Sequence, residues 1–565
     1  MQIRTELPSK IRDNQFVAID IEIFGAEKSR LHRPNTGTFA SMSIASSDNV
    51  AYVITDEDDV AKALDIVSNG IWVFHNSSFD IMHLRRWADI KPKNMWDTLL
   101  VDKILFSGWY DSFSLQDVVR RHLGIHIEKD VRSTFEDATT LTREQIHYSG
   151  LDAIYTWQVA EAQKKILMGD RQSEFSVWKN IDMPAQWAFL DFMGWRLDTN
   201  KWEALAQHNI QMADKLESQF DFNPRSSQQV KKKLNSLGWK IPSTGEKILR
   251  SKLYKDPTSK AGKVCQALLD YRKFYTLHSR YGMKFLDEYV EFEECNGERI
   301  ALIYPKLNVI GAETGRTSSN SPNIQNLPAR EYPEFREPWI ARPNHKLIVA
   351  DYASQEPRVH AYLTQDKNLL DIFNSGEDIY VATAKYMYDK EIEKSDPLRN
   401  FMKVAFLGAT YGQSAHGVAK NSGKSLEEAE DMQARFWKAF PGSKKWCDEQ
   451  RKQVNYVETV AGRRIWLNPY SSQVERNALN GPHQGTAADM MKQATATSHQ
   501  EWKWDIPFGV LSPIHDELVL DVPEQLAEEI SKFISDVMVQ TGQEMCPGIP
   551  FKVDAKICDN WREGK

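Results

Sequence analysis

Two apolar runs near the N-terminus predict buried strands that carry or precede acidic side chains. In residues 16–24, FVAIDIEIF, four aliphatic side chains alternate with Asp20 and Glu22, which places the two acids together on the opposite face of the strand. Residues 71–74, IWVF, predict a second buried strand, and the polar turn after it leads to Asp80 at the start of a helix. The pattern therefore predicts three carboxylates in succession.

A capping box predicts a helix that adds a fourth carboxylate. Thr142 and Gln145 have the spacing of a capping box, and within the helix that follows, Tyr148 and Asp152 lie four residues apart and share a face. Four carboxylates and a phenol suit a site where two divalent ions activate a water and stabilise the leaving oxygen of a phosphodiester. Oxygen ligands favour magnesium or manganese over zinc. The alternative is four unrelated surface acids.

Two segments in the C-terminal half also place acids at strand ends. The run KLIVADYASQEPR, residues 346–358, predicts a strand that ends in Asp351, with Glu356 five residues later. The run LSPIHDELVLDVP, residues 511–523, predicts a tight hairpin with polar residues at its tip. The tip residues are His515, Asp516 and Glu517. We expect Asp351 and Asp516 to meet across a sheet.

A helix with a cationic ridge is predicted between these two segments. In DPLRNFMKVAFLGATYG, residues 396–412, Asp396 can cap the helix, Pro397 fits its first turn and Gly412 fits its end. A ridge of every fourth residue then runs along one face: Arg399, Lys403, Leu407 and Tyr411. Such a ridge can hold a triphosphate at one end and a base at the other. The alternative is an ordinary amphipathic helix with a basic stripe.

Taken in order, these motifs resemble two known families. D-x-E, N-x-x-F-D and Y-x-x-x-D resemble the DEDDy 3′→5′ proofreading exonucleases. D-Y-x-x-x-E, R-x-x-x-K followed by Y-G, and H-D-E resemble motifs A, B and C of family A (polymerase I type) DNA polymerases. Further segments that resemble family A signatures are residues 194–198, 222–230, 314–328, 456–468 and 480–494. The resemblance covers nearly the whole chain.

The exonuclease resemblance implies a metal-dependent hydrolytic site. Its metal ligands correspond to Asp20, Glu22, Asp80 and Asp152, and the tyrosine that orients the water corresponds to Tyr148. By the same resemblance each of the two active sites holds two Mg²⁺ or Mn²⁺ ions.

The polymerase resemblance implies roles for the motif residues. Asp351 and Asp516 would hold the two ions, with Glu517 beside them among the catalytic residues. Arg399 and Lys403 would hold the incoming phosphates, and Lys403 would also protonate the pyrophosphate leaving group.

The resemblance also implies how the nucleotide and the primer-template are checked. Tyr411 would stack near the nascent base pair, and Glu356 would collide with a ribose 2′-hydroxyl, which favours dNTPs over rNTPs. The residues expected to contact the minor groove of the DNA are Arg316, Asn326, Gln484 and His515.

Two positions in the expected nucleotide site depart from the commonest family pattern. Leu407 stands where the family usually has an aromatic residue that packs on the incoming sugar, so we expect altered acceptance of sugar analogues. Tyr380 stands where a histidine often contacts phosphate, and a phenol can donate a hydrogen bond but carries no charge. Both departures bear on the rate of the reaction rather than on its type.

A chain of 565 residues predicts several domains. The resemblance implies a multidomain α/β and α+β fold, in which an RNase H-like exonuclease domain precedes a right-hand polymerase. The expected segments are the exonuclease at 1–165, the thumb at 183–300, the palm at 301–375 and 491–565, and the fingers at 376–490.

Charge and composition bear on whether the protein binds nucleic acid, membranes or zinc. The net charge of −7 argues against binding of nucleic acid by bulk charge, which requires locally clustered cations. Local basic clusters such as residues 231–233 and 463–464 are candidates for phosphate contacts, and the alternative is a solvated surface. The N-terminus lacks a signal-peptide pattern and no long apolar run occurs, which predicts a cytoplasmic protein without a membrane partner. Five cysteines without a C-x-x-C pair predict free thiols and no zinc site.

The resemblance begins at the exonuclease, so the 5′-nuclease of bacterial polymerase I has no counterpart in the sequence, and the thumb lacks room for a long processivity insertion. A compact monomeric enzyme of this kind suits bacteriophage replication in a host cytoplasm. Primer-template DNA and dNTPs are then the substrates, and a phage helicase, primase or single-strand-binding protein the expected partners.

Three other functions compete with this interpretation. One is a single-subunit RNA polymerase, another is an exonuclease whose C-terminal region binds DNA without synthesis, and the third is a scaffold. The proofreading motifs together with Glu356 argue against the RNA polymerase.

Overall fold

The computed structural model describes residues 1–8, 10–25, 32–33, 36–90, 94–128 and 131–565, which form two compact units. Unit 1 comprises Met1–Met193, Pro305–Gln325 and Ile348–Ile557. Unit 2 comprises Gly194–Tyr304, Asn326–Leu347 and Cys558–Lys565.

The N-terminal region of unit 1 is a mixed sheet flanked by helices. Its strands are β1 (Gln2–Arg4), β2 (Phe16–Phe24), β3 (Thr38–Ala45), β4 (Val50–Ile54), β5 (Ile71–Phe74) and β6 (Met95–Asp97). Its helices are α1 (Val60–Ile66), α2 (Ser77–Leu84), α3 (Thr98–Phe106), α4 (Leu115–Leu123), α5 (Arg143–Met168), α6 (Gln172–Val177) and α7 (Met183–Leu190). Short 3-10 helices span Glu57–Asp59 and Arg132–Phe135, and a π-helical turn spans Trp178–Asp182. The sheet order is β1-β4-β3-β2-β5-β6.

Strand β2 lies at the centre of this sheet and carries the first acidic motif. It pairs antiparallel with β3 and parallel with β5, and its aliphatic residues are buried while Asp20 and Glu22 stay partly exposed. Helix α2 begins at Ser77, so Asp80 lies in its first turn. In the capping box of α5, Gln145 N donates to Thr142 Oγ1 at 3.1 Å. The elements predicted around all four acids are therefore confirmed.

Unit 2 opens with a helical segment and a small sheet. Its elements up to residue 303 are β7 (Trp195–Leu197), α8 (Thr199–Glu217), α9 (Ser227–Ser236), α10 (Glu246–Lys255), α11 (Lys260–Tyr281), α12 (Met283–Tyr289), β8 (Val290–Cys295) and β9 (Glu298–Ile303). Aromatic rings fill one part of its core: Trp202 stacks on Phe285 with ring centroids 4.3 Å apart and meets Trp339 edge-on at 6.0 Å.

The remaining strands are β10 (Lys306–Asn308), β11 (Ser318–Asn320), β12 (Trp339–Ile340), β13 (His345–Tyr352), β14 (Tyr456–Glu458), β15 (Arg464–Trp466), β16 (Val510–Ile514), β17 (Glu517–Pro523) and β18 (Val553–Cys558). The remaining helices are α13 (Gln355–Thr364), α14 (Lys367–Ser375), α15 (Ile379–Tyr388), α16 (Pro397–Thr410), α17 (Ala415–Ser422), α18 (Leu426–Ala439), α19 (Pro441–Gln450), α20 (Val474–Gln500) and α21 (Ala527–Met545). Short 3-10 helices span Ile324–Asn326, Pro333–Arg336 and Glu524–Leu526. Strand β12 completes the unit 2 sheet, β12-β7-β9-β8.

The strands of the second acidic region form a sheet in the order β16-β17-β13-β18. Ile514 pairs with Glu517, which leaves His515 and Asp516 as the two-residue connection of the predicted hairpin. His515 has a φ of 59°, the left-handed conformation that such tight connections use. The cationic helix is α16, where Asp396 caps the first turn by accepting from Leu398 N at 2.8 Å. Both predictions are confirmed.

The β14–β15 hairpin contacts the N-terminal region of unit 1 through Trp466. The indole Nε1 donates to Leu105 O at 2.7 Å, and the backbone N donates to Ser107 O at 3.2 Å. Trp109 packs edge-on against the same ring at 5.5 Å. Gly108 is required between them, because a Cβ there would lie 2.4 Å from the carbonyl oxygen of Trp466.

A fully buried ionic network joins the π-helical turn to the same hairpin and to α20. Arg463 Nη2 donates to Asp182 Oδ2 and to Asp489 Oδ1, each at 2.7 Å. Lys492 Nζ donates to Asp182 Oδ1 at 2.5 Å. All four side chains are at most 2% exposed, so the two acids and two bases neutralise one another away from the protein surface.

Within the described residues, no helix combines the length and the apolar character needed to cross a membrane.

Candidate functional site

The acids of the N-terminal region converge at the end of β2. One ligand oxygen from each of Asp20, Glu22 and Asp152 lies within 4.8 Å of the other two. Asp80 is anchored beside them, because its Oδ1 accepts from Ile21 N at 3.2 Å. Three of the four predicted ligands therefore form one tight group, and the fourth lies against the same strand.

Burial and mutual repulsion raise the pKa values of the carboxyl groups in this cluster. Burial raises the pKa of Asp20 well above its usual value, and Glu22, Asp80 and Asp152 raise it further. Burial likewise raises the pKa of Glu22 to about 8, although Arg132 lowers it. Bound cations would favour the ionised form of these side chains, because they neutralise the repulsion between the carboxylates.

The donor set fits divalent metal ions. Asp20 Oδ2 is buried and accepts no hydrogen bond from the described residues, which leaves its lone pairs available to a cation. All candidate donors are carboxylate oxygens, the ligands that Mg²⁺ and Mn²⁺ prefer. The residues present therefore suit hard divalent cations rather than zinc.

Tyr148 lies one turn before Asp152 on α5 and bonds to it. Burial raises the pKa of its phenol, and the charges of Asp152 and Glu22 raise it further, so the hydroxyl keeps its proton. Its ring packs at 6.3 Å from Phe135. Tyr148 is therefore a hydrogen-bond donor held against the carboxylates.

Arg132 is a residue of this site that the sequence motifs do not indicate. Desolvation lowers the pKa of its guanidinium, but Glu22, Tyr148 and the aspartates raise it above its ordinary value. No sequence motif marks the 3-10 helix that carries Arg132. Only the fold shows that its guanidinium lies near Asp20, Glu22 and Asp152.

In the second acidic region, Asp351 is the penultimate residue of β13, and Asp516 lies in the β16–β17 connection on the neighbouring strand pair. Tyr352 N donates to Asp516 O at 3.0 Å, so the backbones of the two acid positions adjoin. Glu517 is only 1% exposed, whereas Asp351 and Asp516 are half-buried. In the described part of the chain these acids do not make a group of three as tight as that of Asp20, Glu22 and Asp152.

Glu356 and Arg316 form an ion pair next to Asp516. Burial raises the pKa of Glu356, Arg316 lowers it and Asp516 raises it, and the net shift is upward. Because Asp516 acts on Glu356 in this way, the glutamate lies close to that acid; its contact with the sugar stays a prediction.

Helix α16 presents its cations to α15. Arg399 Nε and Nη2 bind the two carboxylate oxygens of Asp378 at 3.2 and 2.7 Å. The guanidinium of Arg399 and the ammonium of Lys403 lie 5.5 and 5.8 Å from the ring centroid of Tyr380. Burial raises the pKa of Tyr380, as does Asp378, so its phenol remains a donor.

The C-terminal end of the predicted ridge on α16 carries Leu407 and Tyr411, and the tyrosine lies near a pair of histidines. Leu407 is half-buried against the core of unit 1, and the buried hydroxyl of Tyr411 has no hydrogen-bond partner among the described residues. The Tyr411 ring lies 6.2 Å from that of His483. His483 Nε2 lies 2.7 Å from Nδ1 of His360, and its own Nδ1 lies 2.7 Å from Leu479 O.

The proton positions in this histidine pair follow from its neighbours. Nδ1 of His483 must donate to the Leu479 carbonyl, so Nε2 accepts from Nδ1 of His360. His360 Nε2 then accepts from Ser443 Oγ at 3.0 Å. Both rings are neutral, because burial lowers the pKa of His483 to about 4 and lowers that of His360 as well.

The residues predicted to contact the minor groove divide between the two units. Arg316, Gln484 and His515 belong to unit 1, whereas Asn326 belongs to unit 2. Gln325, which lies in the 314–328 signature but was given no role, donates from Nε2 to Pro513 O at 2.8 Å. It ties the segment after β11 to the strand that leads into Asp516.

Comparison with known families assigns both regions. A sequence model described as DNA polymerase family A matches residues 198–563, and one described as a 3′-5′ exonuclease matches residues 4–168. The chain belongs to DNA polymerase family A.

Curated family A relatives cover the chain to different extents. "DNA polymerase I" of Chloroflexus aurantiacus is 29% identical over 86% of this chain and 54% of its own length. "DNA polymerase I" of Aquifex aeolicus is 27% identical over 90% of both chains, and that of Pseudomonas aeruginosa is 33% identical over 57% of this chain and 35% of its own. The chain thus spans about half the length of the Chloroflexus relative.

A solved structure shares the fold. The polymerase domain of Pol1 from M. smegmatis, in complex with DNA primer-template and dNTP, superposes with a TM-score of 0.81 at 23% sequence identity. The match covers 97% of this chain and 96% of that one. The α/β and α+β fold class and the family A membership predicted from the motifs are therefore confirmed.

Proposed function

We propose that this family A chain synthesises DNA from dNTPs on a primer-template and removes 3′-terminal nucleotides from the primer at a second site. The observation that carries the proposal is that two separate groups of acids occur in one chain, one within the matched exonuclease segment and one within the matched polymerase segment. The M. smegmatis polymerase domain, which was solved with DNA primer-template and dNTP bound, supports the same two ligands for this chain.

In the proposed synthesis the primer 3′-oxygen attacks the α-phosphorus of the dNTP and the bond to the pyrophosphate oxygen breaks. Asp351 and Asp516 would hold two Mg²⁺ ions, which when bound lower the pKa of the 3′-hydroxyl and neutralise the triphosphate. Lys403 protonates the pyrophosphate as it leaves. Arg399 binds the phosphates after it exchanges its bond with Asp378.

Side chains around the proposed nucleotide site select the sugar and the base pair. Glu356, held by Arg316, excludes a 2′-hydroxyl, and Tyr411 supports the nascent base pair. Leu407 offers an aliphatic surface to the sugar and Tyr380 a neutral donor to the phosphates. Arg316, Asn326, Gln484 and His515 contact the minor groove, and Glu517 supports the turn that carries Asp516.

In the proposed exonuclease reaction, Asp20, Glu22, Asp80 and Asp152 would hold the divalent ions, which supply an activated water and stabilise the leaving 3′-oxygen. Tyr148 donates a hydrogen bond that orients this water toward the phosphorus. The enzyme acts as a monomer in bacteriophage DNA replication within the host cytoplasm.

The test uses wild type, Asp20→Ala and Asp516→Asn with a labelled primer-template and Mg²⁺, with and without dNTPs, and resolves the products by length. Asp20→Ala is expected to extend the primer without shortening it, and Asp516→Asn to do the reverse. If wild type only shortens the primer when dNTPs are present, the synthetic function is refuted.

A further inference from the structure

Asp97 is a buried carboxylate near the exonuclease acids to which the sequence motifs assign no role. It is the last residue of β6 and the N-cap of α3, and only 1% of it is exposed. Strand β6 runs parallel beside β5, and Asp97 pairs with Phe74, the last residue of β5. The side chain therefore lies where the chain leaves β5 and enters α2, the helix that carries Asp80.

The two oxygens of Asp97 bind groups at the start of two different helices. Oδ1 accepts from Leu99 N at 3.0 Å and from Leu100 N at 3.2 Å, in the first turn of α3. The same oxygen accepts from Asn76 N at 3.2 Å, directly before α2. Oδ2 accepts from Ser77 N and from Ser77 Oγ, each at 2.7 Å. One carboxylate thus caps α3 and holds the first residue of α2.

The bonds to Asn76 and Ser77 exceed what the cap of α3 requires. A helix cap needs one side-chain oxygen, and Oδ1 supplies it. Asn76, the N-cap of α2, makes no side-chain capping bond within the described residues and has a left-handed φ of 78°. Asp97 therefore supplies from β6 the acceptor that the start of α2 lacks.

Fixing the start of α2 also fixes Asp80, which lies three residues after Ser77 in the same first turn. Asp80 Oδ1 accepts in addition from Ile21 N at 3.2 Å, and Ile21 stands between Asp20 and Glu22 on β2. The Asp80 carboxylate is thereby held between β6 and β2. Ligands of a metal site have to stay within about 0.5 Å of the productive geometry, so a looser start of α2 would weaken the site.

Asp97 also acts on Asp80 through its charge. Burial raises the pKa of Asp80 most, and Asp97 adds the next largest increase, ahead of Glu22. Negative charge beside a metal ligand adds to the attraction for a cation. Both the bonds and the charge of Asp97 therefore favour metal binding, and the two effects differ in which variants remove them.

We propose that Asp97 is a positioning residue of the exonuclease metal site: by holding the first residue of α2, it keeps the Asp80 carboxylate where it can bind a divalent ion together with Asp20 and Glu22. The inference rests on the proposed exonuclease function. Asp97 is not itself a ligand, because both of its oxygens are occupied by protein donors. Its replacement should lower the affinity for metal and leave the chemical step intact.

The test measures Mn²⁺ affinity of the full chain by electron paramagnetic resonance, in a background of Asp351→Asn and Asp516→Asn that removes the proposed polymerase ligands. Asp97→Asn keeps the size of the side chain but loses an acceptor, and is expected to weaken Mn²⁺ binding about tenfold. Ser77→Ala keeps the charge of Asp97 and removes one bond to Oδ2, so it is expected to weaken binding by a smaller factor.

Asp366→Asn is the matched control for a loss of stability. Asp366 is also 1% exposed, caps α14 by accepting from Asn368 N and Leu369 N, and accepts from Ser443 N of another helix at 3.0 Å. It holds no residue of the exonuclease group. Asp366→Asn is therefore expected to lower the Tm, as Asp97→Asn does, and to leave the Mn²⁺ affinity unchanged.

Hydrolysis of a single-stranded oligonucleotide is measured against Mg²⁺ concentration in the chain with intact polymerase acids. Asp97→Asn is expected to raise the Mg²⁺ concentration for half-maximal rate about tenfold, with the wild-type rate recovered at saturating Mg²⁺. A rate defect that excess Mg²⁺ does not reduce would overturn the inference.

The Mn²⁺ titration gives the remaining outcomes. Unchanged affinity in Asp97→Asn, or a loss that Asp366→Asn shares, overturns the inference. A loss with Asp97→Asn and none with Ser77→Ala assigns the effect to charge and overturns positioning. If wild type does not hydrolyse the oligonucleotide, the exonuclease function fails, while the Mn²⁺ titration still decides whether Asp97 positions the acids.

Discussion

Arg399 on α16 is bound through two nitrogens by both carboxylate oxygens of Asp378, at 3.2 and 2.7 Å. Asp378 also caps α15 by accepting from Tyr380 N and Val381 N. The cation expected to bind the triphosphate is therefore already engaged, and an incoming nucleotide has to displace a carboxylate from it.

Asp378→Asn should lower the KM for dNTPs about threefold without changing kcat. Asparagine keeps the helix cap but removes the competing charge, and a partly exposed ion pair contributes no more than about 1 kcal/mol. Steady-state extension of a matched primer measures the change. Glu391→Gln, which breaks the exposed pair with Lys385 at the end of the same helix, is the control. A rise in KM would mean that Asp378 orients Arg399 instead of competing for it.

The metal-free protein should lose stability as the pH rises from 5 to about 8. Glu22 has a folded pKa of about 8 against an unfolded value of 4.5, so the folded state binds more protons throughout this window. Its stabilising contribution is present below pH 4.5 and is lost as the pH rises through 8. Thermal unfolding in EDTA should show the loss, and Mg²⁺ should reverse it.

Glu22→Gln should remove much of this pH dependence and raise the Tm of the metal-free protein at pH 8, because the amide carries no charge to repel Asp20 and Asp152. Glu161→Gln, on α5 but outside the carboxylate group, should leave the profile as in wild type. Identical Tm values for wild type and Glu22→Gln across the range would contradict the repulsion.

The His360–His483 pair should make the protein sensitive to acid. The pKa of His483 falls to about 4 in the folded state, so its neutral ring contributes stability above pH 6.5 that is lost as the pH falls through 4. His483→Gln should unfold at a lower temperature at pH 7.5 and should show a smaller further drop between pH 6.5 and 5. His126→Gln, at an exposed histidine, should follow wild type at both pH values. An equal fall in Tm with pH for wild type, His483→Gln and His126→Gln would exclude the histidine pair as the cause of the acid sensitivity.

Asp182→Asn should destabilise the protein by about 3–5 kcal/mol, because it leaves Arg463 and Lys492 buried without enough negative charge. Asp191→Asn is the matched control: Asp191 is 35% exposed and pairs with Arg85 and His499, so its removal should cost less than about 1 kcal/mol. Urea unfolding of the three proteins gives the comparison. Equal losses of unfolding free energy for Asp182→Asn and Asp191→Asn would show that Arg463 and Lys492 do not depend on the charge of Asp182.

The sequence predicts local elements of this chain well, because periodicity and capping act between near neighbours. The alternation around Asp20, the capping box at Thr142 and the cap at Asp396 each specify an element from adjacent residues. The ordered motifs then identify the family, since the residues of a shared site keep their order along the chain. Which residues act in catalysis stays a prediction.

Contacts between distant segments could not be predicted in this way. Asp378 lies 21 residues from Arg399, and Asp182 lies 281 residues from Arg463, so no periodic pattern connects either pair. Arg132 looks like an ordinary surface cation in the sequence. Lys492 sits in a helix whose polar residues suggest solvent, yet its side chain is fully buried, because the acids that neutralise it come partly from another segment.

The attachment of Trp466 to the N-terminal region bears on how the proposed editing of a mispaired primer would proceed. Two hydrogen bonds, an edge-on indole contact and an obligatory glycine fix the β14–β15 hairpin to the loop after α3. Both groups of acids belong to unit 1, and these contacts hold the hairpin against the region that carries Asp20 and Glu22. Under the proposed function, we therefore expect the end of the primer strand, rather than either group of acids, to cover the distance between the two sites.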